Sequence, residues 1–123
     1  MSFSIILPTL NEKGHILELI NEISNIFQNK NLQYEIIIVD DSSTDGTFEV
    51  VQNFKKDNLF LKLISRKNLK RNLAKSINQG IEAATYDFVI WMDADFQHPP
   101  QYLENFIKYS KNYDAVICSR FLR

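Results

Sequence analysis

One cysteine, three glycines, three prolines and a single tryptophan are all that the 123 residues contain of those types. With Cys118 alone, an internal disulfide and any multi-cysteine zinc site are excluded; in "DAVICS" the residue reads as a small buried apolar side chain suited to a reducing cytoplasm. No apolar run approaches the roughly 20 residues that span a bilayer, and the start "MSFSIILPTL" lacks the charge and length of a secretory signal. Charge of one sign is missing too. The formal net charge is -1, so no broad basic field draws nucleic acid or anionic lipid, and any anionic ligand must be held locally. Repeats, low-complexity tracts and Gly/Ser linkers are absent. What remains is 45% hydrophobic and 24% charged, the balance of an ordinary globular protein. A chain of this length can bury well over half its unfolded surface, so residues 1–123 read as a single domain.

Short continuous apolar runs recur at Phe3 to Leu7, Glu35 to Val39, Leu59 to Ile64, Phe88 to Met92 and Ala115 to Cys118. Rich in Ile, Val and Phe, they predict strands buried on both faces. Helical periodicity fills the intervals. Ile16, Leu17, Ile20, Ile23, Ile26 and Phe27 recur at three and four, and Asp45 to Lys56 opens on Asp45 as an N-cap and carries Phe48, Val51 and Phe54. A third helix spans Leu69 to Ala84 with Leu73, Ile77, Ile81 and Ala84 as its apolar face, and Pro99 or Pro100 starts a fourth with Leu103, Phe106 and Ile107. Strict alternation of strand and helix predicts an α/β fold, a mostly parallel sheet with helices on both faces. The sequence stops at "SRFLR" without a stop signal, so the expectation is a domain truncated after its fifth strand.

In such sheets ligands bind beyond the carboxyl ends of the strands. Polar clusters follow the first, second and fourth runs: Pro8-Thr9-Leu10-Asn11-Glu12, Asp40 to Thr47, and Asp93-Ala94-Asp95-Phe96-Gln97. One such cluster is explained by turns and caps; several on one sheet edge point to a site. If Asp93 to Asp95 stays extended, both carboxylates face one side, where their repulsion calls for a hard divalent cation. Gln97 adds a neutral oxygen, and carboxylates with an amide suit Mg²⁺ or Mn²⁺ rather than zinc. The ion's task is to neutralise a diphosphate. A glycosidase acid–base pair is the competing chemistry, but it needs carboxylates about 5 Å or more apart, which suits this spacing less well. His98 beside Pro99-Pro100 reads as a turn, and His15 as a surface or packing residue.

The succession "IILPTLNE", "EIIIVDDSSTDGT", "INQGIEAA", "DFVIWMDADFQHPP" and "VICSRF" resembles the family 2 glycosyltransferases of the GT-A fold, most closely their polyprenyl- or dolichyl-phosphate mannosyl- and glucosyltransferase branch. The motifs follow in the right order over almost the whole chain. The resemblance implies a Rossmann-like three-layer sandwich and a site for a nucleoside-diphosphate sugar, a GDP- or UDP-hexose. By position, Pro8, Leu10 and Glu12 form the first wall of the nucleotide pocket, and Val39 and Asp41 recognise the base. Asp93 and Ala94 line the ribose and diphosphate, and Asp95 and Gln97 hold Mg²⁺ or Mn²⁺, with Asp93 a further candidate ligand. Arg120 approaches the donor phosphates as a leaving-group stabiliser. The implied reaction is inverting transfer of the hexose to an acceptor, a polyprenyl phosphate by branch, at the cytoplasmic membrane face. No catalytic base is identified. The resemblance further implies an absent acceptor-binding half, so exposed apolar surface is expected, to be covered by a partner or a second copy. Other readings are a nucleotide-sugar-binding or interaction domain without turnover and, remotely, a response-regulator receiver; in receivers, however, the paired acids follow the first strand rather than the second.

Overall fold

The apolar runs become strands of a parallel sheet. The computed structural model describes residues 1–95 and 99–116. Its elements are β1 (Ser2–Thr9), α1 (Ile16–Asn29), β2 (Gln33–Asp40), α2 (Thr47–Lys55), β3 (Leu61–Ser65), α3 (Leu73–Ala83), β4 (Phe88–Trp91) and α4 (Tyr102–Ser110). The sheet order is β3-β2-β1-β4 and all neighbours are parallel. The chain steps from β1 outward to β2 and β3, then crosses back to lay β4 on the other flank of β1. The direction of winding reverses between β1 and β4, and a crevice opens beyond their carboxyl ends. Of the predicted fifth strand, Ile117 and Cys118 lie outside the described residues, as do Gln97, His98 and Arg120.

Strand alternation decides what each layer receives. Phe3, Ile5 and Leu7 of β1, with Ile36 and Ile38 of β2, pack in one core with Ile20, Ile23 and Phe27 of α1, Val51 of α2, and Leu103 and Ile107 of α4. The intervening Ile6, Ile37 and Val39 form a smaller core beneath α3, with Ile64, Ala83 and Ala84 against it. Helices therefore cover both faces, as the alternation predicts. The α3 side also holds a polar stitch: the buried Glu35 carboxylate accepts from Ser4 Oγ (2.7 Å), Thr85 N (2.7 Å) and Lys62 Nζ (2.7 Å), which ties the end of α3 to the sheet.

α3 departs from its predicted face. Leu73 and Ile81 are exposed, whereas Ser76 and Gly80 are buried. Close approach is the cause: a Cβ at Gly80 would stand 2.5 Å from Ile6 Cγ2, so small residues and not large apolar ones let this helix touch β1. Gln79 bonds Arg66 on the β3 flank of α3. The opposite flank, carrying Leu73, Ile77 and Ile81, therefore turns towards β4, where Val89 and Trp91 are exposed on the same side of the sheet.

Three boundaries also move. Leu59 lies before β3 and is exposed, because the Leu61 amide bonds Asn58 O and closes a turn there. Gly46, with φ of 98°, occupies the N-cap of α2 in place of Asp45, whose carboxylate nevertheless accepts from Thr47 N (3.0 Å). α3 starts at Leu73 rather than Leu69, because the Asn72 side chain accepts from Lys75 N at 3.0 Å and caps the helix there.

Candidate functional site

Alternation places Pro8 and Leu10, Val39 and Asp41, and Trp91 and Asp93 on the α3 side of the sheet. At the carboxyl ends of β1 and β4 this side opens into a cavity of about 300 Å³. Pro8, Thr9, Leu10 and Glu12 form one wall; Asp93, Ala94 and Asp95 form another; Asp41 and the start of α3, with Arg71, Asn72, Leu73 and Ser76, close the third. The structure thus brings together Pro8, Leu10, Glu12, Asp41, Asp93, Ala94 and Asp95. Val39 lies one layer deeper, fully buried in the core beneath α3 and outside the lining.

Loops are locked to one another around the cavity. Past β1, Asn11 adopts φ of 57°, its amide donates to Ser43 Oγ (2.9 Å), and its side-chain oxygen accepts from Thr44 N (2.8 Å). Glu12 N donates to Thr47 Oγ1 (2.9 Å) and Lys13 N to Asp45 Oδ2 (3.2 Å). Asp40 accepts from Thr9 Oγ1 (2.8 Å) and Ser43 Oγ (2.6 Å). Most polar residues of "DDSSTDGT" therefore fold the rim.

Asp41 combines two positions. It lines the cavity, yet its carboxylate accepts from Arg66 Nε (3.0 Å) and Asn72 N (2.8 Å), and Arg66 is itself buried. Arg66 also donates to Gln79 Oε1 and Lys70 O, so the pair pins the loop that leads into α3. Such a pair is costly to break, since removing one partner strands the other charge in the interior.

Arg71, which donates to Ser42 O at 3.0 Å, is the one cation among the described lining residues, which also include the acids Glu12, Asp41, Asp93 and Asp95. Burial pushes the Glu12 carboxyl above its ordinary range; His15 opposes the shift, and the nearby charges of Asp95 and Asp45 add to it. β4 ends at Trp91 and the chain bends at Ala94 and Asp95, so the extended course does not run through Asp95. Both aspartates nonetheless line the cavity, Asp93 half-buried and Asp95 exposed.

A divalent cation fits this donor set. The lining carboxylates offer hard oxygens. Among the described residues no three His, Cys, Asp or Glu side chains gather to hold a metal ion.

Three contributors escaped the sequence reading. Arg71 and Asn72 carried a weak signal, a basic stretch ending in Asn three residues before Lys75. His15 carried none: half-buried, its Nε2 lies 2.8 Å from Ala94 O and 2.8 Å from Glu12 Oε2, across 79 residues of chain in the first case.

The parallel strand order and the crevice at its switch point are those of the GT-A fold. The chain belongs to glycosyl transferase family 2, whose model matches residues 4–123. It is 36% identical to the dolichol-phosphate mannosyltransferase of Pyrococcus furiosus over 100% of this chain and 34% of that protein. Among solved structures it is similar to the mannosyltransferase PcManGT of Pyrobaculum calidifontis in complex with GDP-Man and Mn²⁺, at 28% identity and a TM-score of 0.70, over 87% of this chain and 31% of that one. It is also similar to S. aureus TarS 1-349 in complex with UDP-GlcNAc, at 25% identity and a TM-score of 0.71, over 100% of this chain and 39% of that one. The chain spans 34–38% of the length of these curated relatives.

Proposed function

We propose that this chain forms the donor site of a hexosyltransferase that takes a nucleoside-diphosphate sugar and passes the hexose, with inversion, to a polyprenyl phosphate at the cytoplasmic membrane face. The observation that carries the reading is the gathering of Glu12, Asp93 and Asp95 with Arg71 at the switch point. A cavity with that excess of acid binds a diphosphate only with added positive charge. Similar solved structures hold GDP-Man with Mn²⁺ and UDP-GlcNAc.

In this reading Pro8, Leu10 and Glu12 receive the base and ribose, with Val39 forming the floor beneath and Asp41 fixing the start of α3. Asp93 and Ala94 border the ribose and diphosphate. Asp95 and Gln97, with Asp93 beside them, hold Mg²⁺ or Mn²⁺, which when bound supplies charge neutralisation for the leaving diphosphate. Arg71 faces the phosphates from the α3 wall, and Arg120 is the proposed stabiliser of the leaving group. A lipid-phosphate acceptor brings an oxygen already ionised near neutral pH, so no strong base is needed from this chain. The exposed flank of Leu73, Ile81, Val89 and Trp91 is apolar surface for a partner or a second copy to cover.

Calorimetric titration with GDP and with UDP, with and without Mn²⁺, tests the reading. Metal-dependent binding of either nucleotide is expected, and binding indifferent to metal overturns it. A second reading is a donor-binding domain without turnover. Sugar transfer to a polyprenyl phosphate by this chain would exclude it.

A further inference from the structure

We infer that His15 is a positioning residue for the donor site, tethering the loop after β4 to the wall formed at the end of β1. His15 stands immediately before α1, on the sheet face away from α3, and is not itself part of the cavity lining. Its Nε2 lies 2.8 Å from Ala94 O and 2.8 Å from Glu12 Oε2. Both neighbours only accept, so Nε2 carries the proton and shares it between them. That donor is present in the Nε2–H tautomer and in the imidazolium, so the tether does not depend on which prevails.

The two groups it joins belong to opposite walls. Ala94 sits between Asp93 and Asp95, and its side chain is anchored in the α1-side core. β4 makes its last sheet pairing at Trp91, and the bond from Met92 N to Ile6 O (3.2 Å) follows it. Beyond that point, the bond at Ala94 O ties the backbone that presents both aspartates to His15. On the other wall, the same proton orients the Glu12 carboxylate and opposes the effect of burial on it. One imidazole thereby sets the separation between Glu12 and the Asp93–Asp95 loop, which is the width available to a nucleoside diphosphate.

This inference rests on the donor-site reading, and the test separates the two. His15→Gln keeps a donor at the same reach; His15→Phe keeps the ring volume and removes it. With GDP and UDP in the presence of Mn²⁺, His15→Phe is expected to weaken binding roughly 10-fold to 100-fold, as loss of an orienting partner does at metal sites. His15→Gln is expected to stay within about threefold of the parent, by the same logic of retained hydrogen bonding. A packing role predicts the reverse order, and that result overturns the inference. Amide NMR shifts at Asp93 to Asp95, recorded without ligand, give the independent readout: they move in the Phe variant and not in the Gln variant. If the unaltered protein binds neither nucleotide, the donor-site reading fails while those shifts still decide the tether, and unmoved shifts in His15→Phe refute it.

Discussion

The loop after β2 carries Asp40, Asp41 and Asp45; the loop after β4 carries Asp93 and Asp95. Both follow strands of the parallel sheet, β2 buried and β4 half-exposed, and both end at the same crevice. After β2 the carboxylates are absorbed by the fold: Asp40 by Thr9 and Ser43, Asp41 by Arg66 and the Asn72 amide, Asp45 by Thr47 and Lys13. After β4 they stand on the cavity wall, and Asp95 acts at a distance by raising Glu12. An acidic run can therefore build the rim of a crevice, as after β2, or line its wall, as after β4.

The comparison breaks if the first group can be removed without loss of stability. Asp41→Ala leaves Arg66 charged and buried, and about 3–5 kcal/mol of stability should be lost in urea unfolding. A loss below about 1 kcal/mol, the scale of a surface pair, would contradict its role as a pillar. Asp45→Ala should cost less, on the order of 1 kcal/mol, the scale of a lost helix cap. Thr47's hydroxyl above all, with the Lys13 and Thr47 amides, holds the Asp45 carboxyl below its ordinary value of 3.8. Its contribution is therefore present above that value and lost as pH falls through the lower folded one. The variant should show a shallower loss of Tm below about pH 4, where unperturbed Asp titrates.

Glu12 sharpens the contrast from the other side, with the smallest effect. Its folded-state value lies above the ordinary 4.5, so the native protein holds the proton longer than the unfolded chain does. Stability falls as pH rises from the ordinary value through the folded one. Glu12→Gln should raise Tm slightly at neutral pH while weakening nucleotide binding, the trade expected of a site residue. A variant that loses stability would place Glu12 with the structural acids.

Much of this arrangement is legible before folding. Glu35 to Val39 and Phe3 to Leu7 read as doubly buried strands because nothing polar interrupts them except Ser4 and Glu35, and those two satisfy each other. Pro8, Leu10, Glu12, Asp41, Asp93, Ala94 and Asp95, read from strand ends and from the family motifs, line one cavity because a parallel sheet gathers those ends on one edge. What stayed hidden depends on distance in space. The buried face of α3 differs from the predicted one because Gly80 lets the helix approach Ile6, and hydrophobic periodicity cannot register that. Asp41 could not be sorted from Asp95 without Arg66, 25 residues on, and His15 could not be linked to Ala94 at all.

The most direct measurement pairs calorimetry with thermal unfolding on the unaltered chain and Asp95→Ala, using GDP and UDP with Mn²⁺. If the acids after β4 serve the ligand, the metal-dependent heat falls at least about tenfold in affinity, as expected for a lost ligand of a bound ion. Tm in the absence of nucleotide and metal should stay within the change typical of an exposed side chain, since Asp95 is exposed. An affinity that is unchanged and independent of metal, or a variant that unfolds as Asp41→Ala does, would contradict the division between the two loops.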